Sequence, residues 1–135
     1  MRFHRDPKTA AIRRLPLFEG CSPAEIRQIA AIADEIWLPA GRRLTTEGAR
    51  GQEFVVILTG TVEVSKHDRK VATLGPGDFV GEIALLTGRP RTATVVATSA
   101  VVVLVIPRHR FQVLVDRLPT LRDRLDAVVP LRTAS

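Results

Sequence analysis

The sequence predicts a mainly β chain with flanking helices, its short strands wrapped into a barrel or jelly roll. Three observations predict it. From Glu35 onward apolar residues recur with period two; turn residues punctuate them at Pro39-Ala40-Gly41, Gly48 to Gly51, Gly60, His67-Asp68 and Gly75-Pro76-Gly77; and the spacing on either side of this stretch is helical.

Taken in order, Lys8 to Leu15 has a weak helical pattern. Ser22-Pro23-Ala24-Glu25 is a helix start: Ser22 is the N-cap, Pro23 fills the first position, where its missing N–H costs nothing, and Glu25 stands three residues after the cap. That helix runs to about Ala33, with Ile26, Ile29, Ala30 and Ala33 as its packed stripe. Strands are expected over 35–38, 42–46, 53–59, 61–66, 70–74, 92–98 and 100–106. Pro107-Arg108-His109-Arg110 then opens a helix carrying Phe111, Val113, Leu114 and Val115, interrupted near Leu118-Pro119. A second helix is expected from Thr120, its cap, to about Val129, with Pro130 as its stop.

With 135 residues, 45% of them hydrophobic, the chain has material for one core and no room for two domains. Residues 1–135 therefore read as a single domain: helices over 1–34, strands over 35–106, and helices over 107–130. The apolar run Ala100 to Ile106 is too short to span a bilayer. Met1-Arg2-Phe3-His4-Arg5-Asp6 is basic but leads into no apolar signal core, and a lone Cys21 forms no internal disulfide. Both features point to a reducing cytoplasm, with Cys21 as small apolar filler.

A net charge of +6 invites a nucleic-acid reading, which its distribution opposes. Arginines occur singly or in pairs, as at Arg13-Arg14 and Arg42-Arg43, without a long basic run or interleaved aromatics. The 25 residues after Arg110 are too few for a helix-turn-helix domain, so no specific nucleic-acid partner is expected. Metal chemistry is equally unsupported. The three histidines, His4, His67 and His109, fall at the N-terminal end, in a hairpin turn and at a helix start, and no phosphate-binding loop of the NTPase type occurs.

The informative stretch is residues 79–95. It follows the turn Pro76-Gly77-Asp78, and Gly81 permits a close approach of backbone to ligand. Glu82-Ile83-Ala84-Leu85-Leu86 reads as a short helix whose free N–H groups suit an anion. Gly88 ends that turn, Pro90 forbids its continuation, and the β-branched run from Thr92 returns Arg91 in extended form. A carboxylate repels a phosphate, so Glu82 fits only if it accepts from a neutral hydroxyl while Arg91 neutralises the phosphate. A ribose carrying a cyclic phosphate offers both groups.

On these residues the segment resembles the phosphate-binding cassette of cyclic nucleotide-binding domains, the family of the catabolite-activator regulators, the regulatory subunits of cyclic-nucleotide kinases and the cyclic-nucleotide-gated channels. Phe79, Gly81-Glu82, the short helix and Arg91-Thr92-Ala93-Thr94-Val95 meet the family pattern. Val80 departs from it, standing where many members have an aromatic residue directly before the glycine. The resemblance extends to Leu15-Pro16-Leu17-Phe18, Gly60-Thr61-Val62-Glu63-Val64 and Gly75-Pro76-Gly77-Asp78.

The resemblance implies a double-stranded β-helix (jelly-roll) barrel with N-terminal helices and C-terminal hinge and lid helices. It implies that Glu82 accepts from the ribose 2′-hydroxyl, that Arg91 pairs with the cyclic phosphate, that Thr92 adds a hydroxyl, and that Gly81 and the N–H groups of Ile83 and Ala84 complete the site. Cyclic AMP is the first choice of ligand; Thr92 makes cyclic GMP admissible through the guanine amine. Leu121, Leu125, Val128 and Val129 are the lid residues expected near the base, with core packing as the equal alternative for them, and Arg122 or Arg124 is a further candidate. The expected role is a non-catalytic sensor that passes a lid movement to an effector protein. Met1 and a full-length fold point to an independent gene product, and apolar hinge and lid surfaces admit a homodimer. The alternatives are an interaction protein that kept the fold and lost its ligand, and, less well supported, a cupin-type enzyme.

Overall fold

The computed structural model describes residues 7–81 and 90–134. Helix α1 (Pro7–Arg14) and a 3-10 turn (Pro16–Phe18) lead into α2 (Pro23–Ile32). The start of α2 is the capping box read from the sequence: the Glu25 N–H donates to Ser22 Oγ at 3.1 Å, and the Ser22 N–H donates to Glu25 Oε1 at 2.7 Å. Lys8 Nζ donates to the carbonyl of Ala33 at 2.6 Å, which ties α1 to the residue that closes α2.

Eight strands follow: β1 (Asp34–Leu38), β2 (Arg43–Thr45), β3 (Glu53–Thr59), β4 (Val62–Lys66), β5 (Arg69–Leu74), β6 (Phe79–Val80), β7 (Thr94–Ala97) and β8 (Val101–Pro107). Helices α3 (Arg108–Arg117) and α4 (Pro119–Ala134) complete the described chain. The seven expected strands all form, within two residues at each end. The short β6 is additional.

The strands do not close into the predicted jelly-roll barrel. Among the described residues they form two separate antiparallel sheets of four strands, in the orders β1-β8-β3-β6 and β2-β7-β4-β5. Closure requires every edge strand to find a partner. Here β6 supplies only two residues, β2 only three with a register shift between Arg43 and Thr45, and most of β1 faces solvent. Period-two alternation assigns the faces of a strand; it does not pair the edges.

The central strands of the first sheet, β3 and β8, are covered on both sides, which accounts for their nearly continuous apolar runs. Phe54, Val56, Leu104 and Ile106 face the helices, packing with Ile12, Phe18, Ile26, Ile29, Phe111 and Leu114. Val55, Ile57, Val101, Val103 and Val105 face the second sheet and meet Val62, Val95 and Ala97. Phe54 stacks on Phe111 of α3 with ring centroids 4.4 Å apart and tilts against Phe79 of β6 at 5.6 Å, so one ring joins strand, helix and the approach to residues 79–95. The β4–β5 turn places His67 and Asp68 at φ 52° and 61°. A two-residue hairpin of type I′ needs positive φ at both positions, and His and Asp tolerate it better than most side chains.

The last helix differs from its expectation at both ends. It begins at Pro119, one residue before the expected cap Thr120, and continues past Pro130 to Ala134. Proline suits a first helical position, and one interior proline removes a single backbone donor, which an otherwise continuous helix tolerates at a cost of about 3 kcal/mol. Leu121 and Leu125, two of the expected lid residues, are fully buried in the core between α1, α2 and α3. The side chains of Val128 and Val129 lie outside the described part. Truncating a fully buried leucine removes its transfer free energy and leaves a cavity, so Leu121→Ala is expected to destabilise the chain by about 2–5 kcal/mol in urea titration; a loss below about 1 kcal/mol would place α4 outside the cooperative core.

Candidate functional site

Backbone hydrogen bonds fix Arg91 before its side chain does anything. Its N–H donates to the Ala49 carbonyl at 2.7 Å, and its carbonyl accepts from the Gly48 N–H at 2.8 Å, clamping the lead into β7 onto the 46–49 turn. Two threonines extend the clamp. Thr45 Oγ1 donates to the Ala93 carbonyl at 2.9 Å, and Thr94 Oγ1 accepts from the Glu47 N–H at 3.0 Å. The Glu47 carboxylate in turn accepts from the His67 N–H at 2.8 Å and lies 3.4 Å from His67 Nδ1, tying the β4–β5 turn to the same loop.

The Arg91 side chain runs inward and is 8% exposed. Its Nη2 donates to the carbonyl of Glu53, the first residue of β3, at 2.7 Å. A guanidinium is rarely this deep unless polar groups receive it, because desolvating the charge costs several kcal/mol. Gly81 stands against the same group at φ +97°. A Cβ there would run into Arg91 Nη1 and lie 2.6 Å from the Glu53 carbonyl oxygen, so the end of β6, the start of β3 and the guanidinium meet in a space only glycine permits.

Gly81 and Arg91, the expected site residues with described side-chain surroundings on this wall, are thus brought together. Thr92 follows Arg91 and is exposed. Glu82, Ile83 and Ala84 lie outside the described residues. Neither arginine considered for the base is idle: Arg122 pairs with Asp116 at 3.5 Å and Asp126 at 3.9 Å, while Arg124 donates to the Pro16 carbonyl and lies 3.7 Å from Glu19. Sequence reasoning missed the carbonyls of Ala49 and Glu53, which hold Arg91. The only sequence signal for them was the turn bracketed by Gly48 and Gly51.

Chemically the arrangement presents a planar fork of donors, charged at any physiological pH, next to backbone that a ligand can approach; it suits a phosphate or carboxylate. Among the described residues no three His, Cys, Asp or Glu side chains gather as a metal site, and no helix is long and apolar enough to cross a membrane. Cys21 lies near α2, where burial raises its thiol pKa, Glu25 adding to the rise and Arg124 opposing it, which is the setting of an unreactive thiol.

Two facing antiparallel sheets, flanking helices and a buried arginine packed against a glycine are the frame on which the site is built. A profile of the cyclic nucleotide-binding domain matches residues 35–117. The chain belongs to that family, and its domain is of the non-catalytic, ligand-sensing kind. It is 35% identical over 119 residues to a cAMP-dependent protein kinase regulatory subunit of Aspergillus fumigatus, covering 87% of this chain and 29% of that protein. A cGMP-dependent protein kinase of Toxoplasma gondii is 36% identical over 93 residues, covering 69% of this chain and 9% of that protein. Among solved structures, the regulatory subunit of a cAMP-independent protein kinase A from Trypanosoma brucei superposes with a TM-score of 0.81 at 27% identity, covering 88% of this chain and 43% of that one. The chain therefore spans less than a third of either relative and under half of the solved structure's chain.

Any side chain at position 81 meets the Arg91 guanidinium and a β3 carbonyl as well as an unfavourable φ. Gly81→Ala is expected to lose about 1–3 kcal/mol of stability in chemical denaturation; stability equal to wild type would show that Arg91 and β3 yield freely at this point.

Proposed function

We propose that the chain senses a cyclic nucleotide, cyclic AMP first and cyclic GMP as the admissible second, through Arg91 and the segment beginning at Gly81. The observation that carries this reading is the buried Arg91 guanidinium, anchored on Glu53 and faced by Gly81, in a chain of this family. In it, Arg91 pairs with the cyclic phosphate, Glu82 accepts from the ribose 2′-hydroxyl, the N–H groups of Ile83 and Ala84 bind phosphate oxygens, and Thr92 contributes its hydroxyl. The names of the Aspergillus and Toxoplasma relatives support either nucleotide. Residues 1–34, 35–106 and 107–130 act as one domain, which works in the cytoplasm and passes a movement of α3 and α4 to an effector protein or a second copy of the chain. A ligand shifts such a two-state element only by its differential affinity for the two states.

A second reading stays open because one structural relative is named as cAMP-independent: a chain of this fold that engages a partner without cyclic AMP. Titration calorimetry with cyclic AMP, cyclic GMP and linear 5′-AMP separates the two. The expected result is binding of a cyclic form at least about tenfold tighter than the linear one, a difference of about 1.4 kcal/mol. Heat from neither cyclic nucleotide would leave the second reading standing. Arg91→Ala is expected to weaken binding by at least about tenfold, and Thr92→Ala to weaken cyclic GMP more than cyclic AMP. Equal loss of both nucleotides on Thr92→Ala would remove the argument for guanine.

A further inference from the structure

We propose that Arg108 is a positioning residue that carries the state of the Arg91 loop to helix α3; the proposal rests on the reading of the site as a cyclic-nucleotide pocket. Segment 48–53 is held from two sides. Arg91 takes one side through Gly48, Ala49 and Glu53. Arg108, the first residue of α3, takes the other: its N–H donates to the Gln52 carbonyl at 2.8 Å, and its Nη1 donates to the Gly51 carbonyl at 3.4 Å. Arg91 thus holds the carbonyls of Ala49 and Glu53, Arg108 holds those of Gly51 and Gln52 between them, and planar peptide units carry a displacement at Ala49 to Gly51 within two residues.

The two bonds of Arg108 differ in kind. The backbone bond persists whatever non-proline side chain stands at 108, so it anchors the helix start. The guanidinium contact, longer than the usual N–H···O range, tightens or breaks with a shift of a few tenths of an ångström. Gly51 is buried, so its carbonyl depends on protein donors, and a shift that removes one is not made good by water. Phe111, one turn further along α3, is stacked on Phe54 and fully buried. The first turn of α3 therefore pivots on that ring, and Arg108 is the point at which it registers the loop. Binding an anion at Arg91 changes its hold on Ala49 and Glu53; Glu53 is fixed in β3, so the loop from Gly48 to Gln52 shifts against it, and Arg108 passes the shift to α3.

Hydrogen-exchange mass spectrometry of the whole chain, with and without saturating cyclic AMP, tests this in wild type, Arg108→Ala and Arg108→Lys. In wild type, ligand is expected to change exchange in both 48–53 and 108–117. In Arg108→Ala, with calorimetric affinity within about tenfold of wild type, the 48–53 response is expected to remain and the 108–117 response to fall at least about fivefold, the lower end of usual coupling. Arg108→Lys, which keeps one cationic donor, is expected to restore part of it. A full α3 response in Arg108→Ala overturns the relay while leaving the pocket intact. Loss of both responses in Arg108→Ala and Arg108→Lys alike also overturns it, because Arg108 then only holds the pocket together. Absence of cyclic-nucleotide binding in wild type is recognised separately by calorimetry and overturns the pocket together with the relay.

Discussion

The structure depends on β3 being covered on both faces. Phe54 and Val56 are sealed under the helices while Val55 and Ile57 are sealed under the second sheet. At about 1.5–3 kcal/mol for each buried side chain, these four hold the strand with roughly 6–12 kcal/mol of gross burial. A single hydrogen bond to a charged group contributes only about 1.5–3 kcal/mol. When Arg91 pulls on the carbonyl of Glu53, the strand beyond it is the fixed partner. Strain is absorbed in the loop from Gly48 to Gln52, where every residue but Gly51 is exposed and two glycines stand.

The same comparison explains the seating of α4. Arg124 links it to Pro16 and Glu19, and Arg122 forms further ion pairs along the helix surface, but such partly exposed pairs contribute about 0–1 kcal/mol each. Leu121 and Leu125 are completely buried. Burial, not charge pairing, keeps α4 against the N-terminal helices. Drawing it across a ligand would expose both leucines, at a cost exceeding what one phosphate contact supplies. Motion that begins at the site therefore reaches the start of α3 more readily than it reaches α4.

What was legible in the sequence was what side-chain chemistry encodes locally. The Ser22 and Glu25 capping box needs only two residue types at a fixed spacing, and it formed as read. Strand β3 and strand β8 announced themselves through β-branched runs. Arg91 and Gly81 were legible because a charge and a missing Cβ are properties of residue type. The two-sheet architecture was not, since closure depends on how edge strands such as β6 and β2 end, and alternation is silent on that. Nor were the carbonyls of Ala49, Gly51, Gln52 and Glu53, because every residue carries a carbonyl and only the fold decides which ones face a guanidinium. Leu121 and Leu125 show the same limit: apolar spacing on α4 predicts a buried face without saying what buries it.

A sensor needs one part that does not move and one that moves cheaply, joined by a contact that reads the difference. The doubly covered sheet supplies the first. The second is a loop held by hydrogen bonds and broken by Gly48 and Gly51, whose backbone freedom lowers the cost of a second arrangement. In the proposed relay, an Arg91 anchored on another loop would move both ends together on binding an anion, and nothing downstream would register it. Anchoring the guanidinium on the first carbonyl of β3 makes the rigid sheet the reference. Because Phe111 fixes α3 to the same strand, the proposed displacement of loop against strand is also one of loop against helix, a difference in geometry that a protein surface would be able to read.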